Sequence, residues 1–472
     1  MTTTDDRPAL PDTPPAPTPS GWGALLLRIH FYAGILVAPF LVVAALTGLA
    51  YTITPQVDRA LYGQQLVVDR PGKQARPLAE QIAAARTAHP DGTLAAVAPG
   101  HGDATTRVVF NLPDLGDKQH TVYVDPFTAQ VKGTLTTWFG STPATTWLDD
   151  LHRNLHLGVI GRYYSETAAS WLWVLVLGGL TLWWRRHRTS TARIRRLTTP
   201  DLTARRGVRR TRSWHAVTGV WLAVGLLFLS ATGLTWSRYA GGNFDTALDA
   251  LDARSPALST TLPGAVAPAP TTGHHGSGEG IAAVNAADTD RAWAIARDAG
   301  LDGPVEISPP AESGQAWSVT QVDNRWPVRK DAAAVDPAAG VVTARNDFAS
   351  WPLLAQLSGL GIQAHMGVLF GPVNQILLAA LAVGLLTVIV WGYRMWWQRR
   401  PTRHDRRAPV GVAPARGAWQ RLPAWGIAVS VPAVFVIGWL LPLLGATLLA
   451  FLAFDLLLGN RRARAAIGVP TR

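Results

Sequence analysis

The chain contains no cysteine, only three methionines, and charged side chains at just 16% of its 472 positions. The missing cysteine removes disulfides, thiolate-ligated clusters and thioether-attached haem, all of which need cysteine sulfur. Imidazole is then the obvious strong metal ligand. The sequence also lacks a HExxH zincin helix, a GxSxG elbow, a Walker loop and a dinucleotide-binding βαβ unit. No fused NADH or flavin domain is recognisable. The apolar runs carry no chain of carboxylates, which argues against a proton pump, because a relay needs titratable groups at depth. What is abundant is apolar sequence: hydrophobic residues make up 48% of the chain, with 20 Trp. They cluster in runs that meet the roughly 20 residues needed to cross a bilayer. The net charge of +12 comes from Arg crowded beside these runs, where it faces lipid headgroups. Membrane lipid, and not nucleic acid, is the expected partner.

The expected fold class is an α-helical integral membrane protein. It is read as a duplicated helix, α+β module and helix, with four core transmembrane helices and a C-terminal hydrophobic hairpin. Residues 1–20, with PDTPPAPTPS, are too rich in Pro and polar groups to bury a core and form a disordered cytoplasmic arm. Transmembrane helix 1 is expected at 21–52, external module 1 at 53–145, and an interfacial segment with helix 2 at 146–188. A basic loop at 189–212 precedes helix 3 at 213–238. An external linker and module 2 follow at 239–350, then an interfacial segment with helix 4 at 351–398. A second basic loop at 399–421, a hairpin at 422–459 broken at Leu441-Pro442, and a tail at 460–472 complete the chain. Arg-rich connectors obey the positive-inside rule. The expected location is the cytoplasmic membrane, with the N-terminus inside and both modules outside.

The two polar inserts read alike: helix, strand, strand, turn, strand. EQIAAARTAHPDG precedes RVVFNLP and HTVYVDPFTAQVKG in the first, and DRAWAIARDAGLDG precedes AWSVTQV and AAVDPAAGVVTA in the second. The shared Val-Asp-Pro fits a turn in which Asp caps the backbone and Pro fixes φ, so Asp125 and Asp336 are read as turn residues. His274 and His275 sit in a flexible linker and are read as solvated. His187 and His404 lie in basic membrane-flanking sequence.

Four histidines recur at matching places. RIHFYAGILVAPFLVVAALTGL and SWHAVTGVWLAVGLLFLSATGL place His30 and His215 each before a Gly at i+4 and a Thr-Gly-Leu beginning at i+17. NLHLGVIG and QAHMGVLFG place His156 and His365 in a common His-x-Gly-Val context. An ionisable side chain in the membrane is costly, and ligation explains its presence. His30 with His215 is expected as the axial pair of an inner haem, and His156 with His365 as that of an outer one. His152 lies one turn from His156 and is the alternative outer ligand. Its matching second-half position is Gly361 on the His-x-Gly-Val alignment, which favours His156. Gly34 and Gly219 either leave space for a macrocycle or allow close helix packing. Arg28, Arg153 and Arg162 are candidates for pairing with haem propionates or with headgroups. The 28 residues from His156 to Trp184 span about 42 Å as a helix, more than a bilayer core of about 30 Å, so a bend is expected near GVIGR and GVLFGP.

On RIHFYAG, LHRNLHLGVIGR, SWHAVTG, QAHMGVLFG and the two VDP modules, residues 22 to 402 resemble the PepSY-associated transmembrane family (PepSY_TM). This group includes iron-regulated membrane proteins and ferric-siderophore reductases. The resemblance implies outward PepSY modules and, in the reductase branch, a haem-containing membrane core that delivers electrons to an external ferric chelate; the two histidine pairs set the expected number of b-type haems at two. The electron donor is then a quinol or a separate cytoplasmic reductase. The resemblance also admits a noncatalytic role, in which PepSY modules regulate an envelope peptidase or sense an envelope signal.

Overall fold

The computed structural model describes residues 21–68, 74–90, 92–188, 193–265, 285–399 and 422–467. The reading of 1–20, of His274 and His275, and of His404 lies outside them. The first apolar run is expected as one helix but forms two, α1 (Gly21–Leu36) and α2 (Ala38–Tyr51), bent by 56°. The cause is Pro39, in the first turn of α2. Its ring has no N–H and crowds the carbonyl four residues back. That carbonyl, of Ile35, instead accepts a hydrogen bond from the Tyr393 hydroxyl at 3.0 Å.

After α3 (Thr54–Leu66) comes the first module, α4 (Leu78–Ala88) with β1 (Thr93–Ala98), β2 (Thr106–Asn111), β3 (Gln119–Val124) and β4 (Val131–Thr137). Helices α5 (Pro143–Asn154), α6 (Gly158–His187), α7 (Arg193–Thr198), α8 (Val208–Thr235) and α9 (Tyr239–Ala250) lead to the second module. That module comprises α10 (Ala286–Asp298), β5 (Val305–Ser308), β6 (Trp317–Gln321), β7 (Ala332–Asp336) and β8 (Val341–Asn346). Each module thus has a strand, β1 or β5, beyond the three read from the sequence. The Val-Asp-Pro turns form as expected. Asp125 Oδ1 accepts from the Phe127 and Thr128 amides, and Asp336 Oδ1 from those of Ala338 and Ala339.

The extra strands join the modules. The sheet runs β4-β3-β2-β1-β5-β6-β7-β8, and the seam is an antiparallel pairing of β1 with β5 at Val97 and Ile307. Helices α4 and α10 share one core with the sheet, built from Leu78, Ile82, Ala292, Ala296, Val97, Phe110, Ile307 and Val335 among others. Burial of this apolar surface is the main stabilising contribution. The helices are also linked directly, since the Asp290 carboxylate of α10 accepts from the Leu78 and Ala79 amides at 2.7 and 2.9 Å. It thereby caps α4 from the other module, satisfying donors that a helix start leaves open.

The chain ends with α11 (Leu353–His365), α12 (Pro372–Gln398), α13 (Ala424–Leu440) and α14 (Pro442–Ile467). Helices α6, α8 and α12 are each long and apolar enough to cross a membrane, and the bent α1/α2 pair qualifies when counted as one span. They close a bundle in which α6 packs on α8, α8 on α12, α12 on α2, and α1 on α6. Pro442 separates α13 from α14. Trp171 Nε1 donates to Thr447 Oγ1 at 2.9 Å, and Asn243 donates to the Trp439 and Leu440 carbonyls, fastening this last pair to the bundle.

Candidate functional site: two histidine pairs in one bundle

Two cavities open inside the bundle, one beside the sheet and one at the far end. The distal cavity, about 470 Å³, is lined by His30 and His215 and by Gly34, Gly179, Gly219, Gly392, Arg186, Arg212 and Arg399. The sheet-side cavity, about 210 Å³, is lined by His152 and His365 with Asp149, Arg153, Arg162, Glu166 and Arg238. Four leucines line both: Leu41, Leu172, Leu226 and Leu385. Helices α2, α6, α8 and α12 supply one each, making an apolar layer between the cavities.

The histidines face each other across these spaces at nearly equal separations. His30 and His215 have ring centres 6.4 Å apart, and His152 and His365 6.5 Å apart. One metal ion bonded to two imidazole nitrogens at about 2 Å each would hold the ring centres roughly 6 Å apart. Among the described residues no group of three or more His, Asp or Glu is placed to hold a metal ion. Such a pair therefore suits a metal whose remaining ligands come from a cofactor such as haem, held by axial protein ligands.

The sheet-side pair corrects the sequence reading. His156 does not face His365. It is exposed, has φ of +55°, and lies against Trp147 with ring centres 4.9 Å apart. Its position follows from the sharp turn between α5 and α6, where Leu155, His156 and Gly158 all have positive φ. Gly161 packs so tightly on Asn154 that a Cβ there would overlap the Asn154 carbonyl. The turn ends α5 just after His152 and leaves that side chain inside the bundle. Helix α5 is itself fixed by Asp58 of α3, which accepts from the hydroxyls of Thr142 at 2.6 Å and Thr145 at 2.9 Å. The expected bend is present, but it removes His156 from the cavity.

The correct register was available in the sequence. His152 and His365, Leu172 and Leu385, Gly179 and Gly392, Trp183 and Trp396, and Arg186 and Arg399 all stand 213 positions apart. The local His-x-Gly-Val match, displaced by one turn, concealed this alignment. Gly361 is not the counterpart of His152; an added Cβ there would meet Thr232.

The contacts around each ring repeat as well. The Thr47 hydroxyl lies 2.9 Å from His152 Nδ1, and Thr232 2.6 Å from His365 Nδ1. A Cβ on Gly48 or Gly233 would lie 3.2 or 3.6 Å from Cε1 of the same two rings. In the distal pair, His215 Nδ1 is 2.9 Å from the Val388 carbonyl. His30 Nδ1 is directed toward the equivalent Leu175 carbonyl but is buried without reaching hydrogen-bond geometry. Gly179 and Gly392 lie against Cε1 of His30 and His215. Gly34 and Gly219 have nothing within 4 Å of an added Cβ, so they border open cavity and do not mediate close helix packing. Burial pushes the His365 imidazole down to about 4, with nearby His152 the second cause. Burial lowers that of His152 too. Both rings are therefore neutral at pH 7, the form that ligates metals.

Of the predicted arginines, Arg153 and Arg162 line the sheet-side cavity, and Arg153 is already paired with Asp149 at 2.9 Å. Arg28 is buried over the Tyr32 ring and lies outside both cavity walls. Arg186, Arg212, Arg399 and Arg238 were not singled out from sequence but do line the cavities. Glu166 was missed as well. It is 1% exposed on α6, and its carboxylate accepts from the Tyr239 and Ala240 amides at 3.0 and 2.9 Å. There it caps α9, with the anion at the positive end of the helix.

The profile of the PepSY-associated TM region matches residues 27–399, most of the chain, and the protein belongs to that family. It is a membrane protein by that membership and by its long apolar helices. No curated protein matches the chain.

Proposed function

We propose that this chain is a four-crossing membrane electron carrier holding two b-type haems. It passes electrons across the cytoplasmic membrane to a ferric chelate, such as a ferric siderophore, on the side of the sheet. The observation that carries the reading is the pair of matched histidine couples, 6.4 and 6.5 Å between ring centres, in two cavities of one bundle. His30 and His215 would hold the distal haem, and His152 and His365 the sheet-side one. A bound haem supplies one-electron ferric/ferrous chemistry, which no side chain of a cysteine-free chain offers.

The protein's own residues do the rest. His215 and Thr232 are separated by 17 residues of one unbroken helix, a rise of about 25 Å. The two levels therefore divide most of a hydrocarbon core of about 30 Å. The leucine layer between them keeps water out of that interval and lowers the local dielectric. Arg186, Arg212 and Arg399 at one level, and Arg162 and Arg238 at the other, offer forked donors to carboxylates. The Arg-rich connector after α6 orients the distal level toward the cytoplasm by the positive-inside rule. A quinol or a separate cytoplasmic reductase supplies electrons there. The ferric acceptor is drawn from the family resemblance.

A redox difference spectrum with pyridine-haem quantification of the purified protein tests this reading. Two haems per chain are expected, with reoxidation of the reduced protein by an added ferric chelate. A protein with no haem absorbance that still binds an envelope peptidase would establish the regulatory role instead.

A further inference from the structure

We infer that Thr47 and Thr232, the threonines of the two Thr-Gly-Leu repeats, are positioning residues for the sheet-side histidine pair. They fix its tautomer and set the electron-donating strength of its imidazoles. The inference rests on the proposed dihaem reading and concerns one of its two levels.

The hydrogen bonds around each hydroxyl decide its role. A threonine hydroxyl has one proton and two lone pairs. Thr47 Oγ1 donates to the Val43 carbonyl at 2.8 Å, and Thr232 Oγ1 to the Phe228 carbonyl at 2.7 Å. With the proton spent on the helix backbone, each hydroxyl meets its histidine as an acceptor. The contacts of 2.9 and 2.6 Å are then made by Nδ1–H of His152 and His365, the tautomer that metal ligation through Nε2 demands. Nε2 is left with its lone pair free for a metal. A hydrogen bond from the far nitrogen fixes ring orientation and raises ligand basicity.

At the distal level His215 reaches the same tautomer by another means. His215 Nδ1 faces a backbone carbonyl, which only accepts and which no side-chain substitution removes. The two levels thus differ: main-chain carbonyls face the distal rings, whereas the sheet-side rings meet two hydroxyls, from α2 and α8, with the Ala44 carbonyl a further acceptor near His152. Satisfying a buried imidazole would require some acceptor, but not the same residue in both halves with a glycine directly after it against the same ring atom. Gly48 and Gly233 occupy that place.

The test is a potentiometric titration, followed by haem absorbance, of the full-length protein and of Thr47→Val, Thr232→Val and the double variant. Valine keeps the shape and removes the acceptor. Two haems per chain are expected throughout. One redox component should move to higher potential, further in the double variant, because a less electron-rich imidazole favours the ferrous state; the other should stay in place. Thr47→Ser and Thr232→Ser should restore the wild-type titration. If a valine variant loses one haem, the serine variant should recover both the haem and its potential. Unchanged potentials with haem retained, equal shifts of both components, or failure of serine to restore would each overturn the inference while leaving the dihaem reading intact. A wild-type protein without haem would overturn both.

Discussion

The two halves of the chain place equivalent groups at equivalent points while differing in how the helices are built. Helix α8 runs unbroken through His215 and Thr232, whereas its counterpart is split into α1 and α2 with Pro39 at the break. The position matching Pro39 is Val224. His30 nevertheless lines the distal cavity with His215, and Thr47 meets His152 as Thr232 meets His365, while a hydroxyl from α12 takes up the carbonyl that the proline displaces. Ring contacts, the leucine layer and the cavity-lining glycines are shared. Glu166 has Ala379 as its counterpart, and Arg212 has Leu27. The features common to both halves surround the histidines, and the differences lie in the frame, at Pro39 and Glu166, and in the charge of the distal cavity wall, at Arg212.

The largest effect expected from breaking this equivalence is loss of cofactor. His152→Ala or His365→Ala should halve the haem bound per chain, as should His30→Ala or His215→Ala. His156→Ala should leave it unchanged. Quantifying haem in the five variants compares the two registers directly, and retention in His152→Ala with loss in His156→Ala would reject the sheet-side pair.

A smaller effect concerns the frame. Glu166→Ala gives the first half the residue of the second and leaves the half-buried Tyr239 amide and the buried Ala240 amide of α9 without an acceptor. Leaving a buried donor unsatisfied costs about 1–3 kcal/mol. A lower thermal unfolding midpoint is expected, whereas Ala379→Ser, with no such partner to lose, should change it little.

The smallest effect is pH-dependent and separates the modules. Nε2 of His120 in β3 lies 2.8 Å from Nε2 of His89, while the matching positions of the second module are Asp331 and Gly300. Burial, and then the proximity of His89, lowers the His120 imidazole below its usual value of 6.5. The folded module therefore binds fewer protons than the unfolded chain. Its stabilisation is complete above about 6.5 and is lost as pH falls through the lowered value. Hydrogen exchange should show β3 loosening on acidification while β7 does not, and His120→Phe should abolish the difference.

Much of this arrangement was legible in the sequence, and what was hidden was hidden for physical reasons. The repeated His-Gly spacing matched His30 with His215, whose rings face each other, because each His and the Gly one turn on share a helix, where spacing fixes the face. The Asp-Pro turns were readable because their chemistry is local. Strand β1, TLAAVA, was missed because it is almost wholly buried and shows no clear alternation, and β5 has only four residues. The seam joins segments some 200 positions apart, which no local pattern reports. His156 was preferred because a short motif outweighed the longer register through Trp183-Trp184 and Trp396-Trp397. The reversed turn before α6 is what separates the two.

The seam between β1 and β5 lies on an axis of approximate twofold symmetry. Across the midline, strand meets its own counterpart in antiparallel pairing, α4 meets α10, and His30 meets His215. Each surface is matched with a copy of itself, the mark of an isologous contact with twofold symmetry. A chain of half this length, with one module and its helices, would already carry both sides of that contact. The covalent link leaves the two halves free to differ away from that contact, as they do at Pro39, Glu166 and Arg212.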